Sequence, residues 1–244
     1  MGATKEHFYP ESRFGGFTNV DWTVAFYSRV HALIRPGHVV VDFGCGRGSH
    51  LEDPVAFRRE LRSFKDKVAR VIGVDVDPVG ATNPYVDEFR ELTPDAPWPL
   101  DTASVDVIVS DCVVEHLPDP AEFMREAKRV LNPGGYLCIR TPNVWSYVGV
   151  ASRLVPNSHH TRVLSKVQTE RKEEDVFPTL YRCNSVWALR RLLRANGFTA
   201  VVYGYGSEPS YLEFSKPAYW LGKLYQRFAP GVLQPAMFAF ARAD

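Results

Sequence analysis

The feature that most constrains this chain is the run Asp42-Phe43-Gly44-Cys45-Gly46-Arg47-Gly48, which closes the short β-branched stretch His38 to Phe43. Glycines at alternate positions remove Cβ atoms, so the backbone can turn sharply and approach a ligand closely. A strand that ends in such a loop and then enters a helix places free amides and the positive end of a helix dipole at the turn. The spacing is not that of a nicotinamide dinucleotide fingerprint, G-x-G-x-x-G. Gly48 comes one residue early, and Ser49 stands where that pattern places its third glycine. The loop reads as a nucleotide cradle, with a nicotinamide oxidoreductase as the disfavoured alternative.

Around the loop the apolar pattern alternates between two periods. The first twenty residues, aromatic and glycine-rich, read as a loop or arm. Asp21 to Ile34 has helical spacing, with Trp22, Ala25, Phe26, Val30 and Leu33 on one face, so 1–34 forms an N-terminal arm and helix. Strands are expected at His38 to Phe43, Arg70 to Val76, Glu88 to Leu92, Ser104 to Ser110, Tyr136 to Arg140, Phe198 to Tyr205 and Ala236 to Ala243. Helices are expected at Val55 to Val68, Pro120 to Leu131, Asn184 to Asn196 and Pro217 to Phe228. Strands alternating with helices imply a parallel sheet covered on both faces. The expected architecture is α/β: a Rossmann-like, doubly wound, seven-stranded, mostly parallel sheet with an antiparallel final strand. The stretch 144–184 reads as a lid or substrate insertion and 206–234 as an aromatic-rich insertion, within one domain spanning 1–244. Such a sheet binds ligands at the carboxyl ends of its strands, beside the switch point in strand order.

Bulk properties narrow the function classes. The 244 residues are 45% hydrophobic and 23% charged, with a formal net charge of +1. That is enough apolar material for a real core and too little basic excess for an expected nucleic-acid partner. The cysteines at 45, 112, 138 and 183 have no CxxC spacing, which fits a reducing, cytoplasmic setting without a disulfide framework. Met1 to Pro10 lacks an apolar signal core, Glu6 breaks a myristoylation pattern, and no apolar run is long enough for a membrane span.

The second expected strand ends Val74-Asp75-Val76-Asp77. An acidic residue there can accept hydrogen bonds from ribose hydroxyls, and Asp77, before Pro78, suits a turn cap. With these pieces in place the chain resembles the class I S-adenosylmethionine-dependent methyltransferases, in the subgroup of ubiquinone-type and glycan-associated O-methyltransferases. The resemblance runs over about residues 38 to 143. It rests on Val40-Val41-Asp42-Phe43-Gly44-Cys45-Gly46-Arg47-Gly48, Gly73-Val74-Asp75, Trp98-Pro99-Leu100, Ser104-Val105-Asp106-Val107-Ile108, Val114-Glu115-His116-Leu117-Pro118-Asp119-Pro120, Arg129-Val130-Leu131-Asn132-Pro133-Gly134-Gly135 and Thr141-Pro142-Asn143, in family order. It implies S-adenosyl-L-methionine as cofactor. Asp42, Gly44, Cys45, Gly46 and Gly48 would then meet its methionine part, Asp75 with Val76 its ribose, and Asp95 its adenine. Ser110, Asp111 and Cys112 would line the floor beneath the sulfonium.

Methyl transfer to oxygen gains from a general base. His116, just past the fourth expected strand, is the leading candidate. Glu115-His116 resembles a segment of ubiquinone O-methyltransferases associated with a divalent metal. Cys112 stands where the first Glu of that segment falls, and hard cations prefer oxygen, so no metal is expected. His159 and His160 are further base or substrate-binding candidates, of which at most one reaches the site. In 151–175 basic and acidic residues nearly cancel, five against four, so no phosphate site is inferred there. The aromatic stretch Tyr211, Phe214, Tyr219, Trp220, Leu224, Tyr225 and Phe228 is expected to pack on the sheet or against a second copy in a homodimer, in preference to touching a lipid-linked acceptor. Phe8, Tyr9, Phe14 and Phe17 are expected to fold over the cofactor. The reading is an O-methyltransferase acting on a small-molecule or glycan hydroxyl, with a non-catalytic scaffold of the same fold as the alternative.

Overall fold

A computed structural model describes residues 3–94, 96–154 and 178–244. Seven strands form one sheet: β1 (Val39–Phe43), β2 (Arg70–Asp75), β3 (Glu88–Glu91), β4 (Val105–Asp111), β5 (Leu131–Pro142), β6 (Phe198–Tyr205) and β7 (Ala236–Ala243). Their order is β3-β2-β1-β4-β5-β7-β6. β1 pairs in parallel with both β2 and β4, and β4 with β5. Only β7 runs antiparallel, between β5 and β6. Strand order reverses between β1 and β4, so the crevice above β1 is the switch point.

The strands are apolar on both sides because both faces are covered. Val41 and Phe43 pack with Phe123 and Met124 of α4 (Pro120–Val130) and Leu189 and Leu193 of α6 (Val186–Ala195). Val40, Val107 and Val109 pack with Phe26, Tyr27 and Val30 of α2 (Trp22–Leu33) on the opposite face. Caps fix where these helices start. The Asp21 carboxylate accepts from the amides of Thr23 and Val24, and that of Asp119 from Ala121 and Glu122. Asp77 accepts from Val79 N at 2.9 Å, as expected of a turn cap. The motif residues around Trp98 are structural. The Trp98 ring packs on Phe43, with centroids 4.5 Å apart. Arg129 donates to the carbonyls of Trp98 and Leu100.

Four local expectations change. The glycine loop does not run directly into a helix: a 3-10 turn, Ser49–Glu52, intervenes, and α3 (Ala56–Arg62) starts later and ends sooner than expected. Asp53 is extended before Pro54, as a residue preceding proline must be. Beyond Arg62, Phe64 turns into the core and Asp66 takes a positive φ of 65°. The arm is partly helical, with α1 (Ala3–Phe8) and a 3-10 turn at Pro10–Arg13. β5 starts at Leu131, immediately after α4, and absorbs Asn132-Pro133-Gly134-Gly135 as an irregularity in its pairing with β4. The aromatic arm does not cover the switch point: Phe8 stacks on Tyr219 of α7 (Lys216–Phe228) at 5.2 Å, Phe17 stacks on Phe57 and Phe14 is exposed. The remaining helix, α5 (Tyr147–Leu154), opens the stretch expected to be a lid, whose central part, 155–177, lies outside the described residues.

Candidate functional site

At the carboxyl ends of β1, β2, β4 and β5 lies a cavity of about 1510 Å³. Sites for drug-sized ligands occupy roughly 300–1,000 Å³, so there is room for a nucleoside-sized molecule and a second reactant.

The glycine loop forms one wall. Gly44, Gly46 and Gly48 have φ of 78°, 48° and 78°, a region that side chains with Cβ rarely occupy. Gly44 donates to the Val74 carbonyl at 2.7 Å, and Gly46 donates to Asp75 Oδ2 at 2.8 Å. A Cβ on Gly44 would collide with Val113, while one on Gly46 would meet nothing within 4 Å. Gly44 is thus fixed by packing, and Gly46 leaves its space to the cavity. A Cβ on Gly48 would strike the amide of Asn83, which itself donates to the Cys45 carbonyl. Cys45 borders the cavity, but its sulfur lies under Gly73 in the core, where burial pushes the thiol up.

Asp75, 8% exposed, borders the cavity and accepts from Gly46 N and Asp77 N. A carboxylate has about four lone-pair positions, so it can accept further hydrogen bonds. Val76 stands beside it, 52% exposed and facing the cavity. Asp42 lies behind the loop on β1. Burial raises its carboxyl to about 7, with Asp111 and Asp75 pushing the same way and Arg62 opposing. A desolvated carboxylate of this kind is stabilised by a cationic partner. Asp95 lies outside the described residues, as do His159 and His160.

β4 and β5 supply the floor. Asp111 borders the cavity as expected, but it is bound to protein groups. Arg140 Nε donates to Oδ1 and Arg140 Nη2 to Oδ2, each at 2.6 Å; Arg62 donates to Oδ2 at 3.1 Å and the Tyr27 hydroxyl at 2.9 Å. The two guanidinium groups hold its carboxyl far below the ordinary carboxylate range against the opposing effect of burial. Arg140 is 1% exposed; it also donates to Thr23 Oγ1 and lies over the Trp22 ring at 4.5 Å. Cys112 borders the cavity with φ 59°, its amide held by the Arg140 carbonyl. Ser110 is fully buried beneath and does not border the cavity.

His116 faces the cavity from the 3-10 turn Val114–His116. Its Nδ1 lies 3.0 Å from the Pro178 carbonyl. A carbonyl only accepts, so Nδ1–H donates to it, and Nε2 lies 3.9 Å from Glu115 Oε1. Glu115 is buried and structural in its contacts. The Thr141 hydroxyl donates to its Oε2, Asn184 donates to that hydroxyl, and the Leu180 and Tyr181 amides donate to the Glu115 carbonyl. Burial raises its carboxyl.

The sequence reading missed Arg140, Arg62, His50 and Glu213, all of which border the cavity. A signal existed for Arg140: a charged residue at the end of the apolar run Leu137-Cys138-Ile139 is anomalous in a doubly covered strand. His50 stacks on Tyr85, and burial, with Arg62 nearby, lowers it to about 4, so it is neutral. Nothing local marks Glu213.

Comparison with known proteins agrees with this arrangement. The methyltransferase domain family matches residues 22–203. A Mycolicibacterium smegmatis protein named "Probable S-adenosylmethionine-dependent methyltransferase" is 38% identical over 142 residues, 54% of this chain and 48% of that protein. A ubiquinone biosynthesis O-methyltransferase of Paraburkholderia phytofirmans is 26% identical over 132 residues, 51% of this chain and 56% of that one. The chain spans about half the length of the curated relatives it matches. In fold it is similar to a SAM-dependent methyltransferase from Archaeoglobus fulgidus, with a TM-score of 0.55 at 17% identity, covering 98% of this chain and 99% of that one. The match across most of the described sheet, on the fold and switch-point cavity seen here, shows that the chain belongs to the methyltransferase domain family and carries the fold of its class I, S-adenosylmethionine-dependent members.

Proposed function

We propose that this chain catalyses methyl transfer from S-adenosyl-L-methionine to a hydroxyl of a small-molecule or glycan acceptor. The observation that carries the reading is the pairing of three left-handed glycines with a cavity-facing Asp75 that is already tied to the loop amide. When bound, the cofactor supplies an electrophilic methyl group on a sulfonium, and the protein supplies position and charge.

The residues present fit that group. Asp75 would accept hydrogen bonds from the ribose hydroxyls, and Val76 would cover an apolar edge. The space beside Gly46 would admit the ligand backbone-close, and Asp42, half-buried behind the loop and not among the residues lining the cavity, would favour a cationic end through its charge across the loop. Asp111 is neutralised by two arginines and acts by fixing the floor. His116 takes the acceptor proton at Nε2, with its ring oriented through Nδ1–H by the Pro178 carbonyl. Four free thiols among the described residues suit the reducing, cytoplasmic setting inferred for it.

Titration calorimetry with S-adenosylmethionine, S-adenosylhomocysteine and NADH tests the cofactor assignment. Saturable binding of the first two and none of NADH is expected. Absence of binding by either adenosyl compound at millimolar concentration refutes it. A screen of hydroxylated acceptors then separates an enzyme from a scaffold, and His116→Asn should lower kcat by about 10²–10⁴ with cofactor affinity retained.

A further inference from the structure

Helix α7 is apolar on two opposite sides. Its inner side holds Tyr219, fully buried against Phe8 and Tyr9 of the arm, and the buried Gly222. Its outer side carries Trp220, Leu221 and Phe228, which are 51%, 60% and 73% exposed. At 3.6 residues per turn these three fall within an arc of about 100°. Phe214, 77% exposed, extends the apolar surface just before the helix. Lys216 and Arg227, both exposed, border that arc on one side. A helix normally turns one apolar stripe to the core and a polar face to water; this one keeps a second apolar arc in solvent, flanked by its basic residues.

Charge decides what that phase is. The exposed charges of α7 are Lys216 and Arg227, Lys223 being half-buried and donating to the Phe8 carbonyl, and between Glu213 and Asp244 the chain has no acidic residue. A twofold pairing of this face with a second copy would bring like surfaces together, laying Lys216 and Arg227 against the same side chains with no carboxylate from the segment to offset them. An anionic lipid surface offers the opposite charge and an apolar phase beneath it. Exposed tryptophan, leucine and phenylalanine beside lysine and arginine on a short helix are the composition of helices lying in a bilayer interface. Among the described residues no helix is long and apolar enough to cross a membrane, so the contact is one of lying on the surface. Glu213, next to Phe214, borders the cavity, so this face adjoins the site.

We propose that the outer face of α7, with Phe214, docks the protein on an anionic lipid bilayer. The inference stands apart from the methyl-transfer reading. Flotation of the full chain with vesicles of phosphatidylcholine alone, and of phosphatidylcholine mixed with phosphatidylglycerol, tests it. The protein floats with the mixed vesicles, less so as salt rises, and does not float with phosphatidylcholine alone. Trp220→Ser with Leu221→Ser lowers partitioning more than tenfold, and Lys216→Ala and Arg227→Ala lower it about fivefold each. S-adenosylhomocysteine binding, measured on the same samples, is unchanged in all variants. If the serine variant misfolds, the two alanine variants carry the test. The proposal is overturned if the parent does not float, if flotation ignores these substitutions, or if sedimentation shows a dimer that the serine variant splits into monomers. Loss of homocysteine-adduct binding by the parent would instead strike the cofactor assignment and leave the docking result standing.

Discussion

Asp111→Asn should destabilise the fold severely, and the structure gives the size. The carboxylate accepts four hydrogen bonds, three of them from the guanidinium groups of Arg140 and Arg62. Arg140 is 1% exposed, so water from the cavity replaces the lost partner only in part. An amide carries no charge and turns two of its hydrogens toward groups that are themselves donors. Removing one partner of a buried ion pair costs roughly 3–5 kcal/mol, a large share of the 5–15 kcal/mol that holds a typical domain folded. At about 2–4 °C per kcal/mol for a chain of this size, the midpoint should fall by roughly 6–20 °C. Thermal and guanidinium unfolding followed by circular dichroism would measure it. Adding Arg140→Met to Asp111→Asn should restore part of the loss, because it removes one of the two stranded charges. The pH dependence has a definite sign. The folded carboxyl is held far below its unfolded value of 3.8, so its stabilisation is complete above about pH 4 and is lost as the pH falls toward the folded value. Asp111→Asn should flatten that acid limb. Stability within about 1 kcal/mol of the parent would refute the reasoning, since it would mean the two arginines are satisfied without Asp111.

Three further outcomes follow from the same site. Gly44→Ala should cost roughly 2–5 kcal/mol, combining a positive φ with collision against Val113, whereas Gly46→Ala should cost about 1–2 kcal/mol and show its effect in cofactor affinity; equal unfolding midpoints for the two would contradict the geometry. Asp75→Ala should weaken S-adenosylhomocysteine binding by roughly 100-fold, the loss of charge-assisted hydrogen bonds to two hydroxyls, and an unchanged Kd would remove Asp75 from the ribose role. Asp42 contributes stability fully below its unfolded value of 3.8 and loses it as the pH rises through about 7, while cofactor affinity should strengthen over the upper part of that range as the carboxylate forms. Asp42→Asn should flatten both profiles, and a profile left unaltered would show that another group titrates there.

The elements were legible where the signal was local. The β-branched run into Gly44, the turn cap Asp77, and the period of α4 and α6 each state their structure within a few residues. The same holds for the cavity wall: Asp75, which ends a strand after a glycine loop, both visible in sequence, borders the cavity. The misreadings arose where a distant contact overrode the local pattern. Val55 to Val68 has helical composition, yet Phe64 leaves the helix because the core under α2 receives it. The arm aromatics looked suited to a ligand, yet Phe8 and Tyr9 are drawn to Tyr219, more than two hundred residues away in sequence.

By itself, then, the sequence determined the alternation of strands and helices, the glycine cradle and its acidic partner, because these depend on backbone freedom and on periodicities of two and 3.6 residues. Tertiary structure alone decided which charges meet: Asp111 with Arg140 and Arg62, Glu115 with Thr141 and Asn184, and the solvent exposure of Trp220 and Phe228 on a helix whose opposite side is core. The physical reason is that a side chain's polarity is written in the chain, whereas the partner that compensates it is set by which strand ends and helix faces the folded sheet brings together.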